Sequence, residues 1–197
     1  LNLPPVYAIS AVEKYGENDF FGVLETALQN GLKLLQLREH RLEKDAFLDL
    51  ANRVVERCHQ YDAKVLLNCE PQWIAETAAD GVHLTQKRLM SAQRRPLAAE
   101  CLVAASCHDE QSLLQAEKLG LDFVALSPVQ ETASHPGVIP IGWQHFLQLC
   151  ATTALPVYAL GGMELSGVAQ ARRYGAQGVS MVTAIWEADV QTLARHL

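Results

Sequence analysis

Residues 156–181 read PVYALGGMELSGVAQARRYGAQGVSM, and they hold one complete structural period of the chain. Pro156-Val157-Tyr158-Ala159-Leu160 is a short apolar run closed by Gly161-Gly162, the pattern of a strand buried on both faces. Glu164 to Tyr174 is amphipathic at helical spacing and stops at Gly175, a glycine in the C-cap position. Gly178-Val179-Ser180-Met181 then opens a second apolar run. Strand, helix and strand in so short a span make a β-α-β unit with parallel strands and a right-handed crossover.

Working outward, the same period recurs along the whole chain. Further apolar runs are Val6-Tyr7-Ala8-Ile9, Leu34-Leu35-Gln36-Leu37, Val65-Leu66-Leu67, Gly81-Val82-His83-Leu84, Leu102-Val103-Ala104-Ala105 and Phe123-Val124-Ala125-Leu126. Amphipathic stretches at Phe21 to Gln29, Glu43 to Tyr61 and Asp109 to Leu119 lie between them, and Gly31 and Gly120 stand at C-cap positions. Eight such units predict an α/β fold of the (β/α)8 TIM-barrel type, a single compact domain over residues 6–197, small for a fold that usually runs to about 250 residues. A doubly wound open sheet is the competing architecture, but it more often stops at five or six strands. Leu1-Asn2-Leu3-Pro4-Pro5, without an initiator Met, reads as a linker remnant from a longer polypeptide; removal of a tag is the other reading.

Composition narrows the function. The chain has 197 residues, 49% of them hydrophobic and 19% charged, which excludes a disordered protein. No run approaches the roughly 20 apolar residues of a membrane span, so no membrane partner is expected. Sixteen Lys and Arg against 22 Asp and Glu give a net charge of −6 with no basic cluster, which argues against nucleic acid. The five cysteines form neither a CxxC pair nor a disulfide framework and suit a reducing, cytoplasmic setting. A small-molecule ligand fits this profile, and a homo-oligomer is compatible with it.

In a barrel, chemistry gathers just after each strand. Alternation sends Gln36, Arg38 and His40 to one side, where Arg38 offers a planar cationic fork for phosphate or carboxylate, or else a buried ion pair with a Glu. Asn68 can bond a ligand or cap the helix that Pro71 begins. His83, alone in an apolar strand, reads foremost as a satisfied core residue. Ser106, His108 and Asp109 allow a hydrolase triad, although no G-x-S-x-G elbow is present and Asp109 suits a helix cap. A metal site from Cys69, Cys107, His108 and His135 has no local spacing behind it. The polar segment 127–137 is a binding-loop candidate in which Thr132 and Ser134 supply hydroxyls and His135 a titratable cation. Gly161-Gly162 and Val182-Thr183 follow the last two strands, where barrels of this type hold phosphate on backbone N–H groups; two tight turns are the alternative.

Taken in order, these strand ends resemble the thiamine-phosphate synthase and TenI family. The matching pieces are Val6-Tyr7-Ala8-Ile9, Gln36-Leu37-Arg38-Glu39, Asn68, Gly81-Val82-His83-Leu84, Ser106-Cys107-His108, Ser127-Pro128-Val129 with Thr132, Leu160-Gly161-Gly162-Met163 and Gly175-Ala176-Gln177-Gly178-Val179. The segments ALSPV…TASHPG and GVHLT are similar to barrels fused behind Nudix (MutT-type) hydrolases, which implies such an N-terminal partner domain. The resemblance implies an aminopyrimidine at Gln36 and Ser106, a diphosphate at Arg38 and Asn68, and a thiazole phosphate at Gly162, Val182 and Thr183. It also implies departures. Cys69 and Arg88 stand where the synthases carry magnesium carboxylates, His40 and His135 where they carry lysines, and Pro128 where TenI carries a histidine. Magnesium prefers hard oxygen ligands, so no metal cofactor is expected. The expected role is binding of a thiamine-related phosphate in thiamine biosynthesis or salvage. It could be a transferase, an isomerase or a related hydrolytic enzyme with His108 or His135 as acid–base, or a non-catalytic binding module serving the Nudix domain.

Overall fold

The structure is a computed structural model that describes residues 2–132 and 137–197; Ser134 and His135 therefore lie outside the described residues. Eight parallel strands pair in chain order and close into a barrel: β1 (Val6–Ile9), β2 (Leu34–Leu37), β3 (Lys64–Leu67), β4 (Gly81–Leu84), β5 (Leu102–Cys107), β6 (Phe123–Leu126), β7 (Val157–Leu160) and β8 (Gly178–Met181). The closing pair is β1 with β8, in the register Tyr7 to Ser180. The period read in residues 156–181 thus holds around the whole ring.

Strand alternation divides the apolar residues between two compartments. Leu3, Tyr7, Leu34, Leu66, Leu102, Ala104, Phe123 and Tyr158 form a cluster filling the barrel interior. The intervening strand residues, such as Ala8, Leu35, Val65, Val124 and Val179, belong to the larger core shared with the helices. The upper interior is polar: Gln36, Asn68, His83, Ser127 and Ser180 are all buried there. The barrel is apolar at its base and polar at its mouth.

The chain is compact for a barrel because its helices are short. They are α1 (Val12–Tyr15), α2 (Glu17–Gln29), α3 (Lys44–His59), α4 (Gln86–Ser91), α5 (Glu110–Lys118), α6 (Gly142–Cys150), α7 (Val168–Arg173) and α8 (Val190–His196). The β3–β4 crossover has only a 3₁₀ segment, Pro71–Glu76, with Pro71 starting it as the sequence suggests. Asp109 caps α5 in a reciprocal capping box with Ser112, which is the structural reading of that aspartate.

The segment expected as a linker is packed against the barrel floor. Leu3 is buried among the interior residues. The Leu3 carbonyl accepts from Gln177 Nε2 at 2.7 Å, the Pro4 carbonyl from Tyr158 Oη at 2.6 Å, and the Pro5 carbonyl from the Val179 amide at 2.9 Å. Extended proline-rich backbone leaves its carbonyls free to accept, and the open base of the barrel supplies donors.

Candidate functional site

A cavity of about 920 Å³ opens at the C-terminal ends of the strands, lined by residues that follow nearly every strand of the barrel. Gln36, Arg38, Asn68, Ser106, His108, Thr132, Gly161, Gly162, Val182 and Thr183 all reach it. These are the sequence-predicted site residues, save Ser134 and His135. His40, expected beside Arg38, is exposed and does not line the cavity. The chain has left β2 by that point, and strand alternation no longer governs its direction.

Arg38 is the cavity's uncommitted cation. Among the described residues its guanidinium makes no ion pair and no hydrogen bond; only its backbone amide is engaged, donating to Ser10 Oγ at 2.8 Å. Partial burial draws its pKa down from the ordinary arginine value, with Glu39 and Glu13 acting the other way from a distance. The ion-pair reading of Arg38 is therefore not realised. Glu39, buried on the opposite side of the strand end, instead accepts from Ser10 Oγ and from the amides of Val12 (3.0 Å) and Glu13 (3.1 Å). It serves as a remote N-cap for α1, and nothing local in the sequence announces it.

Asn68 is not a helix cap. Its Nδ2 donates to Gln36 Oε1 at 2.9 Å, and its Oδ1 is buried without a partner among the described residues. The expected core role of His83 is realised: Nδ1 lies 3.1 Å from Tyr7 Oη and Nε2 lies 2.9 Å from Ser106 Oγ. Burial, with Arg38 nearby, pushes the imidazole pKa down to about 3, so the ring is neutral. Ser106 therefore pairs with His83 and not with His108, and no hydrolase triad forms. His108 points its Nδ1 at the Ser127 carbonyl, 2.7 Å away. A carbonyl can only accept, so Nδ1 carries a proton and serves as the donor of this bond.

The glycine pair does two jobs. Gly161 and Gly162 have φ of +98° and +68°, and an added Cβ would come within 2.9 Å of Pro128 and 2.7 Å of the Glu131 carbonyl respectively. The loop after β6 lies directly on them, with Val129 N donating to Leu160 O (2.9 Å) and Gln130 N to Gly161 O (3.1 Å). The amides of Gly162, Thr183 and Ala184 donate to no acceptor among the described residues. All three residues line the cavity between the last two strand ends, where unpaired backbone amides suit an anion.

The corner of Cys69 and Arg88 holds a thiol and an ion pair. Cys69 is buried, and burial pushes its thiol pKa up to about 12. Arg88 is tied to Glu70, Nη2 at 2.5 Å and Nε at 3.1 Å from the same carboxylate oxygen. No group of three or more His, Cys, Asp or Glu side chains suited to a metal ion occurs among the described residues. Glu131 and Glu187 also line the cavity, and neither was singled out from the sequence. No helix among the described residues is long and apolar enough to cross a membrane.

Fold and cavity together define a small (β/α)8 barrel with a cavity at its mouth. The family model described as thiamine monophosphate synthase matches residues 6–185, and the chain belongs to that family. The "Putative thiamine-phosphate synthase 2" of Aquifex aeolicus is 34% identical over 95% of this chain and all of its own length. The thiamine-phosphate synthase of Halalkalibacterium halodurans is 28% identical, covering 93% of this chain and 88% of its own. Among solved structures, the thiamine phosphate pyrophosphorylase from Pyrococcus furiosus superposes with a TM-score of 0.81 at 20% identity, over 96% of this chain and 91% of that one, which supports the fold.

Proposed function

We propose that this barrel binds a thiamine-related phosphate at its mouth and acts in thiamine biosynthesis or salvage, with magnesium-diphosphate chemistry altered or lost. The observation that carries the reading is that the Arg38 guanidinium and the amides of Gly162, Thr183 and Ala184, none with a hydrogen-bond partner among the described residues, belong to residues lining one cavity. A phosphorylated ligand offers the anionic oxygens that both donor sets lack. Gln36 and Ser106 would hold the uncharged part, Asn68 would join Arg38 at the anionic end, Thr132 would take the loop side, and His108 would serve as acid–base. His135 and Ser134 remain part of this proposal as loop residues.

The donor set does not fit Mg²⁺. A neutral buried thiol and a guanidinium already neutralised by Glu70 occupy the corner, whereas magnesium demands hard oxygens in octahedral array. That mismatch favours the second reading, a non-catalytic module that senses the ligand for a Nudix hydrolase on the same polypeptide.

Calorimetry with thiamine phosphate and with inorganic diphosphate, each with and without Mg²⁺, tests the proposal. Thiamine phosphate is expected to bind, and Mg²⁺ is expected to leave diphosphate affinity unchanged. No binding of thiamine phosphate removes the ligand assignment, and a large Mg²⁺-dependent gain shows that Glu70 or Glu131 has become a metal ligand. Turnover of the pyrimidine diphosphate with the thiazole phosphate separates enzyme from module.

A further inference from the structure

One residue of the β6 loop grips both glycines after β7. The Gln130 amide donates to the Gly161 carbonyl at 3.1 Å, and its side chain reaches the next peptide. An indole N–H can only donate and a carbonyl can only accept. The Gln130 carboxamide therefore meets Trp143 with its oxygen (Nε1 to Oε1, 3.2 Å) and the Gly162 carbonyl with its nitrogen (Nε2 to O, 3.0 Å). So close an approach depends on glycine, because a Cβ on Gly162 would stand 2.8 Å from the Gln130 Cβ. Trp143 is itself held. It lies in the first turn of α6, where Gly142 N donates to Val129 O at 3.0 Å. Its ring stacks on Tyr174, with centroids 5.1 Å apart and 26° between planes, and meets Phe146 in edge contact at 5.6 Å.

Two successive carbonyls are thereby turned towards the β6 loop. Both peptides are trans, and in a trans peptide the C=O and the following N–H point in opposite directions. The amides of Gly162 and Met163 therefore face away from that loop. Neither donates to an acceptor among the described residues, and both residues line the cavity together with Thr183 and Ala184. Gln130 is exposed and does not line the cavity.

We propose that Gln130 is a positioning residue that aims the Gly162 and Met163 amides at the ligand's phosphate, with Trp143 fixing its side chain. Two N–H groups turned the same way suit the oxygens of a phosphomonoester. This rests on the cavity holding phosphate between the last two strand ends.

Gln130→Met keeps the length of the side chain and removes its donor and acceptor. The position is exposed, so the variant is expected to melt with the wild type. Thiamine phosphate is expected to bind it roughly threefold to tenfold more weakly, the worth of one hydrogen bond. The phosphorus-31 signal of the bound ligand is expected to move as well. Unchanged affinity overturns the proposal. Weaker binding with an unmoved phosphorus signal also overturns it, since the effect then lies away from the phosphate. Trp143→Phe keeps the ring contacts and loses the N–H. Added to Gln130→Met, it is expected to weaken binding little further, because the indole acts through the glutamine. Multiplying effects overturn that relay. Nitrogen-15 spectra of the free protein supply a test that needs no ligand. The Trp143 indole N–H signal is expected to shift in Gln130→Met, where its acceptor is gone, and an unmoved signal overturns the clasp. If thiamine phosphate fails to bind the wild type, the ligand assignment falls while the indole signal still judges the clasp.

Discussion

Single residues carry the site's charge. Arg38 is held half-buried without an ion pair among the described residues, a condition that costs stability in the free protein and favours any anion that enters. Arg38→Met is expected to leave the melting temperature unchanged or slightly raised while weakening thiamine phosphate binding by roughly tenfold or more, the range for a charged hydrogen bond. Calorimetry and thermal unfolding on the same sample check both halves. His83 makes a claim on pH. Burial holds its folded-state pKa at about 3, below the ~6.5 of an unfolded histidine. In between, the unfolded chain binds a proton that the folded one refuses. Stability from this group is complete above pH ~6.5 and is lost as pH falls through that window, at about 1.4 kcal/mol per pH unit. Aspartates with lowered pKa, Asp80 and Asp109, add their own acid limb, so the wild-type minus His83→Gln difference is the quantity to read. A shallower acid limb is expected in the variant, and parallel curves would show that His83 titrates normally.

Elements meet at two clamps around the mouth. At the β7 end, the backbone of the β6 loop occupies the space a side chain would need on Gly162. Gly120, at nearly the same φ (+66° against +68°), faces open space. Both Gly→Ala changes pay for the left-handed backbone, roughly 1–2 kcal/mol, but only Gly162→Ala must also displace the loop. It is expected to melt lower than Gly120→Ala by several degrees, and equal melting points would show that the loop yields freely. At the β2 end, Glu39 ties the start of α1 to the strand through Ser10 and two amides. Glu39→Gln is expected to cost about 1–3 kcal/mol in urea unfolding, because the charge-assisted bonds to Val12 and Glu13 weaken together. The identity of this clamp was invisible beforehand, since Glu39 and Val12 are joined only when β1 and β2 pair.

For the molecule as a whole, the ring must be closed at its base as well as along its strands. Residues 2–5 supply Leu3 to the interior and three carbonyls to Gln177, Tyr158 and Val179. Removing residues 1–5 is expected to lower the melting temperature by about 5–10 °C, given about 1.5–3 kcal/mol for the buried leucine and a few degrees per kcal/mol in a domain of this size. An unchanged melting point would return these residues to the status of a tail. The order of strands, the barrel, the capping of α5 by Asp109 and the mouth positions of Gln36, Arg38, Asn68, Ser106, Gly162 and Thr183 were all legible in the sequence. They depend on local periodicity and on the rule that barrel loops after strands face one way, so neighbours in sequence suffice. What only the tertiary structure decided are the pairings between distant positions: Glu39 with Val12, Arg88 with Glu70, Ser106 with His83 and not with His108, and the loop backbone seated on Gly162. Their physical reason is common to all. A buried donor or acceptor must find its partner in space, and closing the barrel brings together strand ends that lie far apart along the chain.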